Sequence, residues 1–556
     1  MNKLYKFACL MLTGVALMVT TSCSDPDDEI KTANLSRLLR PAGLELKIED
    51  KTTIKATMDF VTKPDYVDVT IEVNDNPLAV DKTFKPLKSY TITSPADAKN
   101  DHVTMSTTIT GLTYFKDYRV SFTARDKSGK VSNPSTAIAT TDGIFKESDD
   151  DDRTNNSLTV KWPSEIIANK IKVAKFNGTT EETVSEESVD PSAAKYTKTG
   201  LNPDTEYIFY VYNDDDCLGR YTFATFPNYT ELFAGDEVDI AGAIDNLDEG
   251  DAIMLSPSTE GISEFTYANE KTITLTKSVR IIGRNTKPVT VKNLKFKLDG
   301  CTGLTIENVG FNGSGNFVEI VKGKTASGDY IFHGLEITGF SVFMYYNNAD
   351  TSLALASNLN QIEVKNCYFH KGLSTGLFDL RNLGIDKDPD KSRRFLVNKI
   401  TVEQNTFSET SNGKNFIRLD FCVNKMTFAN NSIYAVKATG DKGMFYIRSY
   451  EKDVKDYDCA ITSNIFEACG AGVFYANNSQ INALSFNSKK KNYYKNCDDL
   501  MQKAAEGMLY DTEGTTYTGK SAFKDPNNSD EAQKDFTIVN STLKNAGVGN
   551  TEFVKK

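Results

Sequence analysis

Between residues 301 and 500 one short pattern recurs, a few alternating residues ending in a polar turn and followed by an aromatic or apolar residue. The copies read Leu304-Thr305-Ile306-Glu307-Asn308, Gly334-Leu335-Glu336-Ile337-Thr338, Ile362-Glu363-Val364-Lys365-Asn366, Ile400-Thr401-Val402-Glu403-Gln404-Asn405, Met426-Thr427-Phe428-Ala429-Asn430-Asn431 and Cys459-Ala460-Ile461-Thr462-Ser463-Asn464. Successive turns lie 26 to 39 residues apart. A period of this length, with short strands and no helical spacing of apolar residues, predicts a solenoid in which each coil buries its apolar face against the next. Asparagine fits the turn for two reasons. It tolerates a left-handed backbone, and its amide can bond to the equivalent amide one coil away, ~4.8 Å along the axis. The span holds 23 of the chain's 45 asparagines.

Ahead of the repeat the grammar differs. Residues 41–141 alternate with period two in runs such as Val67-Asp68-Val69-Thr70-Ile71-Glu72-Val73 and Tyr118-Arg119-Val120-Ser121-Phe122, with turns every eight to twelve residues. This predicts a β-sandwich. Residues 142–228 repeat the scheme, with Trp162 ending an early strand. The segments 110–118 and 200–207, each placing a tyrosine after a Gly-Leu turn, resemble the tyrosine corner of fibronectin type III domains. The acidic run 147–153 lacks the glycine and terminal glutamate of a calcium loop and reads as a solvated loop.

Residues 1–22 carry Lys3 and Lys6, a short apolar stretch and small residues before Cys23, which is the pattern of an export signal too short to span a bilayer. With Cys23 as acylated residue and the acidic stretch that follows, the segment resembles the lipoproteins of Bacteroidota. That resemblance implies an outer-membrane protein, lipid-anchored and facing the cell exterior, with 23–40 as a linker. A cleaved secretory peptide is the alternative. Seven further cysteines, an odd number without CxxC spacing, predict buried thiols rather than a disulfide framework or zinc ribbon.

The strand, asparagine turn, aromatic and second short strand together resemble the right-handed parallel β-helix of the pectate-lyase superfamily, over roughly residues 235–495. Residues 249–255 and 272–283 resemble its first coils. The expected fold is therefore all-β, two fibronectin type III-like sandwiches (41–141 and 142–228) followed by a right-handed parallel β-helix (229–496) and a C-terminal cap (497–556). An amphipathic stretch, 497–509, is expected to supply a capping helix.

Aligning the second strand of each coil by its apolar positions places Glu319, Met344, Asp379, Arg418, Tyr446 and Tyr475 in one outward column. A second column then runs Val321, Tyr346, Arg381, Asp420, Arg448 and Asn477. Arginine forks take carboxylates in a bidentate grip and tyrosine rings offer apolar faces with a polar rim, so the mixture suits an acidic sugar polymer. Residues 362–496 hold 20 Lys+Arg against 14 Asp+Glu in a chain whose net charge is -11. Arg393-Arg394 and Lys489-Lys490-Lys491 extend the basic surface. The structural alternative is a charge ladder that only stabilises the sheet.

The acidic whole disfavours nucleic acid, and His102, His333 and His370 stand in unrelated contexts that supply neither a multi-histidine zinc site nor a Ser/His/Asp triad. For His333 and His370 a structural or surface role is expected. Uronate lyases of this fold would need calcium ligands and a base, and Arg418, Asp379 and Asp420 supply the residue types. The Trp-Ile-Asp-His and Arg-x-Pro-x-x-Arg strings of pectate lyases are absent, as are the polygalacturonase motifs. The architecture resembles the non-catalytic glycan-binding proteins of Bacteroidota polysaccharide-utilisation systems. The resemblance implies capture of a uronic-acid-rich, pectin-type polysaccharide without a cofactor, beside an outer-membrane glycan transporter. The rival expectations are a divergent calcium-dependent lyase and an adhesive or scaffold protein.

Overall fold

The computed structural model describes residues 37–556 except 96–100, 322, 323, 325, 349–357, 383–395, 411–414, 421, 422, 438–443, 449–457, 470–473, 477–483, 498–507, 510, 512, 531, 532 and 554–556. The chain divides into two units at Phe226 and Pro227.

In the first unit, strands Ala42–Asp50, Thr53–Thr62 and Asp101–Ile109 form one antiparallel sheet, and Lys85–Thr93, Tyr66–Asn74, Asp117–Arg125 and Ser135–Thr140 form the other. Three strands facing four in this order is the fibronectin type III arrangement. The core between them is built from inward residues such as Met58, Val69, Val120 and Phe122, all buried. The predicted corner is present, with the Tyr118 hydroxyl accepting the Thr113 N–H at 2.8 Å. The second module pairs Lys195–Thr199 with Ser157–Lys161, facing a four-stranded sheet of Glu181–Ser188, Lys170–Phe176, Glu206–Asn213 and Asp216–Ala224. Its Tyr207 hydroxyl accepts the Asn202 N–H at 2.9 Å, and Trp162 fills the core.

The two modules touch within this unit. Phe115, held at a φ of 49°, packs on Ile208, Tyr210 and Cys217. Lys51 donates through Nζ to the carbonyls of Ile144 and Phe145 at 3.1 and 2.5 Å. The acidic run departs from the solvated loop expected of it. Asp150–Asp152 is a 3-10 turn closed by a capping box, and Asp150 and Asp152 are buried against Arg153 and Lys161 at 2.8 and 2.6 Å.

The second unit is a parallel β-helix with three faces. The first face stacks ten strands from Tyr229–Phe233 to Leu484–Ser485 and includes Ser327–His333, Asn358–Lys365, Leu396–Glu403, Val423–Ala429 and Asp458–Thr462. The second is narrow, with three-residue strands such as Tyr368–His370, Thr406–Ser408, Ser432–Tyr434 and Ile465–Glu467. The third holds Asn316–Ile320, Val342–Asn348, Gly376–Asn382, Ile417–Asp420, Phe445–Arg448 and Phe474–Ala476. Phenylalanines fill the interior in contact, among them Phe369 and Phe407, stacked with ring centroids 4.9 Å apart.

The asparagines divide their two tasks between neighbours. Asn308, Asn366 and Asn430 take the left-handed backbone, with φ between 54° and 58°, as do Gln404 and Ser463 in their coils. The residue after each turn points inward, and from Asn405 onward that residue builds a buried amide ladder. The Asn405 Nδ2 donates to Asn431 Oδ1 at 3.0 Å, Asn431 Nδ2 to Asn464 Oδ1 at 3.0 Å, and Asn464 Nδ2 to Asn492 Oδ1 at 2.9 Å. The Asn492 amide ends on Asp511 Oδ2 at 2.8 Å. Each Oδ1 also accepts the backbone N–H of the ladder residue before it.

The fifth coil corrects the aligned repeat. Its first-face strand is Ser327–His333, its turn residue is Gly334 at a φ of 64°, and Glu336–Thr338 is already the narrow second face. Glycine serves where asparagine was sought, because it too enters the left-handed region without strain.

Both flanks of the coil stack are covered. Helix Ile240–Asp245 buries Ile240 and Ile244 into the first coils. At the other end of the sequence, Phe523–Asp525, Asp535–Ile538 and helix Ser541–Asn545 lie along the outside of the second face, with Phe523, Phe536, Ile538, Leu543 and Val548 on Tyr434 and Ile465. Buried Glu467 fastens this cover by accepting the Tyr517 hydroxyl at 2.6 Å and the Ala522 N–H at 2.9 Å. The expected capping helix over 497–509 falls almost wholly outside the described residues, and Met508–Leu509 is a strand. Six cysteines, Cys217, Cys301, Cys367, Cys459, Cys469 and Cys497, are buried thiols, and Cys422 lies outside the described residues.

Candidate functional site

The third face carries the arginines, and its register departs from the alignment made on sequence. Val318 pairs with Met344 and then Phe378, Ile417, Phe445 and Phe474. The outward columns are therefore Glu319, Tyr345, Asp379, Arg418, Tyr446 and Asn347, Arg381, Asp420, and the backbone register continues them to positions 475 and 448. Tyr346, expected to face outward, is fully buried in the core, and Met344 lies inside as well. The cause is the corner at which each third-face strand begins. Two adjacent apolar residues turn inward there (Phe317-Val318, Phe343-Met344, Leu377-Phe378, Phe416-Ile417, Met444-Phe445), and period two starts only after them. In the run Val342-Phe343-Met344-Tyr345-Tyr346 every residue is apolar or aromatic, so hydrophobicity leaves its register open by one.

Four charges form a checkerboard on two neighbouring strands. Within Gly376–Asn382, Arg381 grips Asp379 in a bidentate pair, Nε to Oδ1 at 2.5 Å and Nη2 to Oδ2 at 2.6 Å. Within Ile417–Asp420, Arg418 Nε donates to Asp420 Oδ2 at 2.7 Å. The cross-strand register sets Asp379 beside Arg418 and Arg381 beside Asp420, so every ladder neighbour in this block has the opposite sign. Burial opposes the Arg381 charge, but the hydrogen bonds it donates to Asp379 and the fields of Asp379, Tyr345 and Asp420 outweigh it and hold its pKa above the ordinary value.

Asp379 and Asp420 occupy outward positions yet are buried, because the guanidinium groups close over them. The arginine side chains themselves keep 28% and 22% exposure, so they and not the carboxylates meet solvent. The Arg418 guanidinium lies 5.3 Å from the centroid of Tyr446, whose ring is itself buried. Tyr345 is half-exposed one strand before Asp379.

The face is thus a lattice of ion pairs with cationic, partly stacked tops, and the exposed row of aspartates and tyrosines expected from alternation is not what the fold presents. Tyr345 is the functional candidate that sequence alone passed over. The side chains of Arg448 and Tyr475, together with Arg393 and Arg394, lie outside the described residues. The two aspartates turn their oxygens to arginines and do not form a calcium cage. No cluster of three or more His, Cys, Asp or Glu side chains occurs among the described residues.

His333 and His370 end strands of the first and second faces, away from the arginines. Their Nε2 atoms lie 2.9 Å from Glu363 and Glu336 respectively, and His370 stacks on Tyr368 at 4.5 Å. The bond to His333 is the main reason the Glu363 carboxyl is held below its ordinary pKa.

Strand order and the two tyrosine corners define the class, two fibronectin type III-like sandwiches followed by a parallel β-helix. No protein-family model and no curated protein matches the chain. Among solved structures, a two-domain fibronectin type III segment of chicken tenascin is similar at 22% identity, covering 33% of this chain and 97% of that one with a TM-score of 0.20. The central fibronectin-III array of RIM-binding protein is similar at 18% identity over 34% of this chain and 70% of that one, TM-score 0.13. The FN1-FN3 domains of chicken CNTN1 follow at 12% identity over 34% and 68%, TM-score 0.14.

Proposed function

We propose that this chain is a lipid-anchored surface protein that captures an acidic, uronic-acid-rich polysaccharide on the third face of its β-helix. The observation that carries the reading is the state of Arg381 and Arg418. Each is fixed in place by its own buried aspartate and each keeps a solvent-facing part. A guanidinium has five N–H donors, of which these bonds use two in Arg381 and one in Arg418. A preorganised fork loses little entropy on meeting a carboxylate, and that favours capture of anions spaced along a polymer. The anchor rests on residues 1–23, which lie outside the described residues. No helix among the described residues is long and apolar enough to cross a membrane.

Removing an arginine alone strands a buried carboxylate, which costs about 3–5 kcal/mol. The informative variants are therefore the charge-neutral pairs Asp379→Ala/Arg381→Ala and Asp420→Ala/Arg418→Ala. Affinity electrophoresis in polygalacturonate should show retardation of the parent chain and at least tenfold weaker retardation of each pair. Equal retardation of the parent and both variants refutes the site. Unsaturated product absorbing in the same gel buffer with calcium would replace capture by lyase chemistry.

A further inference from the structure

A cleft of about 590 Å³ opens where the last coils of the first face meet the C-terminal cover. Its floor is small and hydroxylated. At the end of the first-face strands the outward column runs His333, Lys365, Glu403, Ala429 and Thr462, so long side chains give way to short ones and leave room. One wall is the loop bearing Lys489, Lys490 and Lys491, and the other is residues 546–548.

Both walls are tied to one residue. Ser463, in a left-handed turn with φ 57°, donates its N–H to the Lys490 carbonyl at 3.1 Å and accepts the Gly549 N–H at 2.8 Å. The lysine loop is further set by Asn487, whose Oδ1 accepts the N–H groups of Lys489 and Lys490 at 2.8 and 3.2 Å. The far wall is pinned by Asn550, which takes the Ser432 hydroxyl oxygen as acceptor for its N–H at 2.9 Å. Three lysines on a fixed loop line the cleft together with Thr427, Thr462, Ser463 and Ser488, and the lining holds one acidic residue, Glu403. The size matches a site for one or two sugar rings.

We infer that this cleft is a second binding site, separate from the third face, for an acidic sugar unit whose carboxylate or sulfate is held by Lys489, Lys490 and Lys491 while its hydroxyls bond to the Thr/Ser floor. It shares with the reading above only the class of ligand. Lysine acts as a mobile point charge and arginine as a fork, so the cleft tolerates either anion, whereas the third face suits a planar carboxylate. Two sites on one solenoid would hold a long polymer by multivalency, each binding raising the effective concentration at the other.

The test titrates the full chain with digalacturonate, with a sulfated disaccharide and with a neutral disaccharide, read by calorimetry. A Lys489→Ala/Lys490→Ala/Lys491→Ala variant should bind at least tenfold more weakly at one of two sites, the loss of about one charge-assisted bond. Thr427→Trp, which fills the floor with no change of charge, should do the same. A control that removes equal charge from the first module, Lys82→Ala/Lys85→Ala/Lys88→Ala, should leave both sites intact.

Preference for uronate or for sulfate identifies the source of the anion and supports the inference in either case. Undiminished binding by the lysine and Thr427→Trp variants, equal loss in the control, or equal binding of the neutral disaccharide overturns it. The Asp379→Ala/Arg381→Ala pair separates the two readings, since it leaves the cleft site in place and removes the other.

Discussion

Replacing Asn431 by leucine keeps the volume at a fully buried position and removes four hydrogen bonds. The amide donates to the Val402 carbonyl at 2.9 Å and to Asn464 Oδ1 at 3.0 Å, and its oxygen accepts Asn405 N and Asn405 Nδ2, both at 3.0 Å. Two of these partners keep another bond. Asn405 Nδ2 still reaches the Val364 carbonyl, and Asn464 Oδ1 still accepts Asn431 N. The Asn405 N–H and the Val402 carbonyl lose the ladder partner, and at about 1–3 kcal/mol for each buried group left unmade, the substitution should cost about 4 kcal/mol. With a denaturant dependence of roughly 3 kcal/mol/M, the urea midpoint of the β-helix should fall by about 1 M. The chain holds its own control, because its one tryptophan, Trp162, lies in the core of the second sandwich. Far-ultraviolet circular dichroism should report the lowered transition while Trp162 fluorescence stays at its parental midpoint. A dichroism midpoint shifted by less than about 0.2 M, or a shift shared by Trp162, would refute the ladder as the source of the coil's stability.

Glu467→Ala should loosen the cover on the second face by about 2–4 kcal/mol, since the Tyr517 hydroxyl and the Ala522 N–H both lose their acceptor. Trypsin should then cut at Lys520 and Lys524 much faster than in the parent, and unchanged cleavage would contradict the docking role. In the second sandwich, hydrogen bonds from Lys198 and then Tyr196 depress the Glu187 carboxyl from 4.5 to about 2. A depressed carboxyl contributes stability above its unfolded value and loses it as pH falls from about 4.5 toward 2. The pair is 40% exposed on the acid side, so the effect should stay under about 1 kcal/mol. Glu187→Gln should flatten the acid limb of the Trp162-monitored melting curve over that window, and an unchanged limb would assign it to other carboxylates.

How far sequence reached depends on how many physical constraints met at each residue. Tyr118 and Tyr207 were legible because a hydroxyl, a turn and a strand must coincide, and the structure places all of them. The asparagine turns were legible because few residues accept a left-handed backbone, although the division between Asn430 in the turn and Asn431 in the ladder is set only by the packing of one coil on the next. Gly334 escaped because glycine satisfies the same backbone without announcing a repeat. Tyr345 and Tyr346 were exchanged because both are large aromatics in an unbroken apolar run, where a slip of one residue leaves the pattern equally plausible. The burial of Asp379 and Asp420 was beyond alternation altogether, since it arises from arginines two residues away folding back over them. The cleft was invisible for a different reason. Its walls come from residues 488–491 and 546–548, and only the docked C-terminal cover brings them together.

The amide ladder also has a direction. Every Nδ2 from Asn405 to Asn492 donates toward the later coil, so the side-chain dipoles add along the axis, and the donor end meets the carboxylate of Asp511. Within that span each coil presents an acceptor to the coil before it and a donor to the coil after it, whatever its own loops contain. A duplicated coil bearing asparagine at this position can enter between Asn431 and Asn464 and restore every ladder bond, whereas one entering before Cys367 meets Leu335 and finds none to join. The length of this solenoid is therefore adjustable in whole coils at its C-terminal half, by gene duplication or by design, while the Asp511 terminus remains the same.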